Sequence, residues 1–267
     1  MMGAPEENMG KVYLVGAGPG DPELLTMRAS RLLREADIVL HDALVSPEIL
    51  ACIGGARVID IGKRCGTKLL SQEEINSLLV AYAAEHAIVV RLKSGDPSIF
   101  GRAGEEIEAL VQAGVAFEIV PGVTSAIAAA AAAGISLTDR RFAASVTFAT
   151  AHRGNGDQAV AWDKLVASHA TLAIYMPGSK YDWLARQLCE AGLSAQTPCA
   201  VISHAGRTTQ QVRCCNLASL PSLEPLPAPS LLIVGECSRP LHLTQHSMER
   251  GIEVDPSEIP DCSGPTN

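Results

Sequence analysis

From Lys11 onward, short runs of β-branched and aliphatic residues alternate with longer stretches whose apolar residues recur at helical spacing. Val12–Val15, Ile38–Leu40, Val58–Ile61, Ile88–Leu92 and Phe117–Val120 read as five strands. Leu24–Arg34, Glu73–Ala84 and Glu105–Ala113 read as helices between them. Strand alternating with helix predicts a parallel sheet, so the chain falls in the α/β class. A second alternation follows, with strands at Ser145–Ala149, Leu172–Tyr175, Cys199–Ile202 and Leu231–Val234 and helices at Trp162–Val166 and Tyr181–Ala191. This predicts two α/β lobes, 11–134 and 135–245. The hinge is placed where the Ala-rich helix Ile127–Ala133 stops at Gly134 and the polar stretch Thr138-Asp139-Arg140-Arg141 begins. The ends, 1–10 and 246–267, are polar and rich in Pro and Gly and are expected to be flexible tails.

Composition narrows the possibilities. With 47% hydrophobic residues among 267, the chain has ample material for buried cores. A net charge of −8 argues against nucleic-acid binding, which draws its affinity from clustered Lys and Arg on phosphates. An anionic ligand must therefore meet a local basic patch. The eight cysteines show no CxxC or His-Cys ligand spacing, so reduced thiols and no metal are expected. No apolar run approaches the ~20 residues that span a bilayer, and Met1–Gly10 has no apolar core of a signal peptide; no membrane association and a cytoplasmic location are expected.

Three strand-to-helix turns carry the candidate chemistry. The first strand enters Gly16-Ala17-Gly18-Pro19-Gly20-Asp21-Pro22, a turn that allows a ligand close to the backbone. It is not the dinucleotide fingerprint, because Asp21 occupies the place of the third Gly and would repel a pyrophosphate. Asp21 also reads as a helix N-cap followed by Pro22 at the first helical position. The fourth strand ends in Ser94-Gly95-Asp96-Pro97, and the fifth in Val120-Pro121-Gly122-Val123-Thr124-Ser125. Ligands of open α/β sheets bind at such carboxyl ends, so three turns from one sheet point to one crevice.

The segments GAGPGDPELLT, ADIVLHDALVS, IGKR, RLKSGDPSIFGRAGEE and PGVTSA, in this order, resemble the motif set of uroporphyrinogen-III C-methyltransferases in the tetrapyrrole methyltransferase superfamily. The resemblance continues through LTDRR, ATAHR, IYMPG, GRTTQQ and APSLLIVGE, covering roughly Val12 to Leu241. It implies two α/β lobes with a cofactor cleft between them, where S-adenosylmethionine lies folded, and S-adenosylhomocysteine as its product. It assigns cofactor contacts to Pro19, Ser94, Gly95, Asp96, Ile99, Thr124, Ser125, Met176, Ala205 and Gly206. It also points to Asp42 as proton acceptor and Lys63 as proton donor, with Arg102 and Glu105 in the substrate cleft.

The substrate so implied, uroporphyrinogen III, bears eight carboxylates, and guanidinium groups grip carboxylates with paired hydrogen bonds. Arg28, Arg64, Arg140, Arg141 and Arg153, with Arg102, lie in or beside the matched segments, and at least two of these six are expected to pair with helix carboxylates instead. The implied reaction is methylation at C2 and C7 to precorrin-2, on the way to sirohaem, cobalamin or haem d1. No dehydrogenase and ferrochelatase module is recognised in the chain, so methyltransferase activity alone is expected, in a homodimer. At His41 the pattern more often has Tyr. A precorrin methyltransferase and a non-catalytic binder of the same ligands remain as alternatives.

Overall fold

The computed structural model describes residues 9–62, 70–151 and 160–239 and the backbone of 252–254. The chain divides into two compact units, Met1–Ser125 and Ala126–Asn267. In the first, strands β1 (Lys11–Gly16), β2 (Ile38–His41), β3 (Arg57–Asp60), β4 (Ile88–Lys93) and β5 (Ala116–Val120) form a sheet ordered β3-β2-β4-β1-β5. Every pairing in it is parallel, and helices cover both faces. On one side α3 (Gln72–Glu85) and α4 (Ala103–Gln112) bury Leu79, Ala83 and Leu110 against Val12, Leu14, Ile38, Leu40 and Val89. On the other, α1 (Met27–Glu35) and the short α2 (Pro47–Leu50) pack Leu33 and Ile49 on Val15, Val39, Val90 and Leu92. Consecutive residues of β4 thus serve opposite faces, as the two-residue period of a strand requires.

The helix expected at Leu24–Arg34 divides in two. Asp21 accepts from the Glu23 N–H and starts a 3-10 turn over Pro22–Leu24, while Thr26 caps α1 by accepting from the Ala29 N–H at 3.1 Å. Two successive capping side chains cannot sit inside one helix, so the chain breaks between them.

The second unit holds a six-stranded sheet ordered β11-β9-β8-β10-β7-β6, built from β6 (Val146–Thr150), β7 (Thr171–Tyr175), β8 (Pro198–Ser203), β9 (Gln211–Asn216), β10 (Ser230–Val234) and β11 (Ile252–Val254). Unlike the first it is mixed: β8 runs antiparallel to both neighbours, β9 and β10. Helices α6 (Trp162–Ala167) and α7 (Tyr181–Glu190) cover one face through Trp162, Tyr181, Leu184 and Leu188.

Two boundaries differ from the sequence reading. Helix α5 (Ser125–Ala132) was placed with the first lobe, yet Ala126, Ala129, Ala130 and Ala133 pack on Ala200, Ile202, Leu231 and Ile233 of the second sheet. Spacings of three and four put these alanines on one stripe, and small side chains let the helix lie close to the strands. The expected flexible tail 246–267 contains β11, whose backbone pairs in parallel with β9 at Ile252↔Val212 through Val254↔Cys214. Strand β9, bounded by β8 on one side only, offers an unpaired edge that accepts such a partner. β9 itself escaped the sequence reading because its two cysteines and three polar residues lack an aliphatic run.

Helix α3 begins with a capping box: Ser71 Oγ accepts from the Glu74 N–H at 3.1 Å, and Glu74 Oε2 accepts from the Ser71 N–H at 2.6 Å. Ser71→Ala is expected to lower stability by about 1 kcal/mol. Urea denaturation of the two proteins measures the difference, and equal midpoints would contradict it.

Candidate active site

The strand order determines which turns meet. β1 lies between β4 and β5, so the turns leaving these three strands emerge side by side at the carboxyl edge of the first sheet. Gly18 and Gly95 exchange two backbone hydrogen bonds, 3.1 and 2.8 Å, and the Ala17 N–H donates to the Lys93 carbonyl at 2.8 Å. The third turn closes against them. A Cβ on Gly16 would lie 2.6 Å from the Gly122 nitrogen, and one on Gly122 would lie 2.4 Å from the Gly95 oxygen. Only glycine fits these approaches; Gly18 and Gly95 also hold positive φ angles of 67° and 70°.

Asp96 fastens this junction. Its Oδ2 accepts from the Gly122 N–H at 3.0 Å, and its Oδ1 accepts from the Ser98 N–H at 2.8 Å and from the Ser98 hydroxyl. A carboxylate offers about four lone-pair sites, so Asp96 retains about one for any ligand. Its principal contribution here is to tie the second turn to the third. Pro19 and Gly95 are buried beside it, Ser94, Ile99 and Ser125 are half-buried, and Thr124 is buried. The structure thus brings together all seven first-unit residues expected to meet the cofactor. The first turn is further braced by buried Ser46, which donates to the Gly20 carbonyl at 2.6 Å and caps α2.

Asp42 follows β2 directly, with its N–H on the Leu92 carbonyl of β4 at 3.2 Å. Its carboxylate ends a chain of charges that the sequence reading missed. Arg91 Nη2 donates to Asp42 Oδ1 at 2.5 Å, and Arg91 Nε donates to Glu106 Oε1 at 2.9 Å. Lys93 Nζ donates to both oxygens of Glu106 at 2.9 Å. Arg91, Lys93 and Glu106 are buried, whereas a third of the Asp42 side chain is exposed. Burial presses the Arg91 guanidinium toward deprotonation, but Asp42 and Glu106 outweigh it and hold its affinity for the proton above the ordinary value. Burial, aided by Arg91, lowers that of Lys93 despite Glu106. Charges inside Ile-Val-Val-Arg-Leu-Lys, an otherwise apolar central strand, are costly unless paired, and that was the available signal.

The other expected residues are more exposed. Arg102 forks onto Glu105, Nε to Oε1 and Nη2 to Oε2, both at 2.7 Å. These hydrogen bonds raise the Arg102 proton affinity and lower that of Glu105. Arg28 pairs with Glu118, as does Lys11 at 2.9 Å, and Arg141 grips Asp139 at 2.8 Å. That hydrogen bonding pulls Asp139 down to about 2. Of the four described members of these six arginines, three are paired with carboxylates, but only Arg102 with one on a helix, against the two expected; exposed pairs of this kind contribute about 0–1 kcal/mol and are readily exchanged for another carboxylate. Arg140 is exposed, and Lys63, Arg64 and Arg153 lie outside the described residues.

In the second unit Met176 is 46% exposed at the end of β7, with φ at 50°. Gly206, also at positive φ, donates its N–H to Gln210 Oε1 at 2.9 Å, and Ala205 is half-buried beside it. Phe100, Arg102 and Met176, three of the five described non-glycine residues with positive φ, sit in the motif segments, and His204 lies two residues before another. Such conformations cost about 1–3 kcal/mol each and gather where a site demands them.

Residues 11–221 match the family model described as tetrapyrrole (corrin/porphyrin) methylases. Siroheme synthase 1 of Yersinia enterocolitica is 50% identical over 232 residues, 86% of this chain and 49% of that protein. The chain spans about half the length of the curated relatives it matches. Among solved structures, uroporphyrin-III C-methyltransferase from Thermus thermophilus complexed with S-adenosylhomocysteine has a TM-score of 0.76 and 38% identity, covering 86% of this chain and 99% of that one. A cobalt precorrin-4 methyltransferase also has a TM-score of 0.76, at 29% identity, over 89% and 99% of the two chains.

Gly122→Ala is expected to destabilise the protein by about 1–3 kcal/mol, because its Cβ displaces backbone. Gly104→Ala in α4, whose Cβ meets nothing within 4 Å, is the control and should stabilise slightly. Thermal unfolding separates the two, and an equal response would remove the junction's claim to tightness.

Proposed function

Because the chain belongs to the tetrapyrrole methylase family, we propose that it methylates uroporphyrinogen III at C2 and C7 with S-adenosylmethionine, giving precorrin-2 for sirohaem, cobalamin or haem d1 synthesis. One comparison carries the choice of substrate. The uroporphyrin-III and precorrin-4 enzymes fit the fold equally well, at TM-score 0.76, yet the chain shares 38% identity with the first and 29% with the second. Substrate choice resides in side chains on a shared fold.

The turns joined at the glycine junction suit adenosylmethionine: they set the hydroxyls of Ser94, Thr124 and Ser125 beside one another, where they supply hydrogen bonds. We assign the cofactor to Pro19, Ser94, Gly95, Asp96, Ile99, Thr124 and Ser125, with Met176, Ala205 and Gly206 of the second unit added by family resemblance. When bound, it supplies a methyl group on a sulfonium centre, attractive to an electron-rich pyrrole carbon. Asp42, hydrogen-bonded by Arg91 at 2.5 Å, takes the proton that the methylated ring system sheds, and the C–H electron pair returns to the ring. Lys63 is proposed as the donor. Arg102, with Arg28, Arg64, Arg140, Arg141 and Arg153, is proposed to receive substrate carboxylates, and Glu105, which pairs with Arg102, to line the same cleft.

Among the described residues no helix is long and apolar enough to cross a membrane, and no cluster of ligating side chains fit for a metal occurs. A cytoplasmic homodimer is proposed; light scattering is expected to give twice the chain mass, and a monomer mass would remove the dimer.

Anaerobic incubation of the protein with uroporphyrinogen III and adenosylmethionine should add two methyl groups, read by mass spectrometry. Asp42→Asn should slow the reaction by about 10²–10⁴-fold, the usual contribution of a positioned base, with adenosylmethionine affinity unchanged by calorimetry. No methyl gain beside intact cofactor binding would redirect the assignment to precorrin substrates.

A further inference from the structure

Asp42 is the one member of its charge chain that reaches solvent, and the three behind it are sealed in the core. We propose that Lys93 and Glu106 are positioning residues of the reaction, setting the basicity and aim of Asp42 through the Arg91 guanidinium. This rests on Asp42 being the proton acceptor.

Stability alone does not account for the arrangement. Buried ion networks are often replaced by apolar side chains without loss, and the neighbours on this face, Val89 and Leu110, are apolar. A network that surfaces at a single carboxylate has a direction. Glu106 touches both cations, so it divides its charge between Lys93 and Arg91 and fixes how much of the guanidinium's charge falls on Asp42. The guanidinium is also pinned in orientation: Nη1 donates to the Leu92 carbonyl at 3.2 Å, Nε to Glu106, and Nη2 to Asp42. Gly101 of the motif turn lies against Lys93, since a Cβ there would stand 3.2 Å from its Cε. The proton acceptor at Arg91 and the motif turn at Lys93 thus meet neighbouring positions of one central strand.

The remaining charged and polar neighbours do not duplicate this control: Arg102 and Glu105, which feel Glu106 and Lys93, pair with each other at 2.7 Å and add no net charge. His41 places Nδ1 3.0 Å from the Asp42 carbonyl oxygen, not its carboxylate, and Asp60 lies across from His41 in the β2–β3 register. Gln72 reaches Glu106 Oε1 at 3.5 Å and carries no charge.

The signs follow from counting charges. The intact chain holds two cations and two carboxylates. Lys93→Met removes one cation, leaves Glu106 wholly to Arg91, and makes Asp42 harder to ionise. Adding Glu106→Gln to Lys93→Met removes the surplus carboxylate and makes Asp42 easier to ionise again.

The test is the pH dependence of kcat for uroporphyrinogen methylation in the full chain, whose acid limb reports the base in the bound complex. Lys93→Met should move that limb to higher pH by roughly half a unit or more, with KM and adenosylmethionine affinity within about twofold of wild type. The double variant Lys93→Met/Glu106→Gln should bring the limb back to or below the wild-type position. A pair that only stabilises the fold changes the unfolding midpoint and leaves the limb in place, so an unmoved limb in Lys93→Met, or a limb that Glu106→Gln leaves displaced, overturns the proposal. If Lys93→Met does not fold, Lys93→Gln replaces it in both proteins. Asp42→Asn is run alongside: full activity there would defeat the reading of Asp42 itself, an outcome distinct from failure of the Lys93 and Glu106 relay.

Discussion

At the carboxyl edge of the parallel sheet three turns approach so closely that no side chain fits between them, and Asp96 pins the second turn to the third. Gly16, Gly95 and Gly122 come from strands far apart in sequence but adjacent in the sheet, with β1 at the centre. The sheet order is therefore a precondition of the site, and any change that displaced β1 from between β4 and β5 would separate all three turns. Helices on both faces supply the burial that holds that order, since a parallel sheet is stable only when both faces are covered.

A second constraint runs along β4. Its residues alternate between two apolar layers, and on one of these Arg91 and Lys93 interrupt the sequence of aliphatic side chains. Each charge taken from water is costly, so the pair is tolerable only because Glu106 descends from α4 between them and Asp42 meets the guanidinium from β2. Packing and chemistry thus use the same strand: its apolar residues bind the helices, its charged ones face the carboxylate proposed to accept a proton, and its last carbonyl receives the Ala17 N–H of the first turn.

The exposed arginines are of another kind. Arg28, Arg102 and Arg141 rest on Glu118, Glu105 and Asp139 in water, where a pair contributes little and is easily exchanged. Such residues suit a substrate with many carboxylates, because releasing the resident partner costs little when a ligand arrives. The buried set is fixed while the exposed set is free to exchange, and this division fits the proposed reaction, in which a rigidly held base meets a large anion.

The sequence by itself determined the elements that depend on local physics. Short runs of β-branched and aliphatic residues located nine strands to within a residue or two, the small-residue turns marked the carboxyl edge of the first sheet, and ordered motifs indicated the family. The tertiary structure decided what depends on distance in space. Arg91, Lys93 and Glu106 looked like ordinary charges in a motif until the sheet and α4 closed around them. The alanine stripe of α5 was visible, but which sheet it covers was not, because small apolar faces fit either. β9 escaped because its cysteines and polar residues break the aliphatic run, and β11 because three residues are too few to show a period, so its place follows from backbone pairing with β9. The glycine junction was foreseen as three turns in one crevice, whereas its closeness, and the use of Asp96 as its fastener, follow only from strand order.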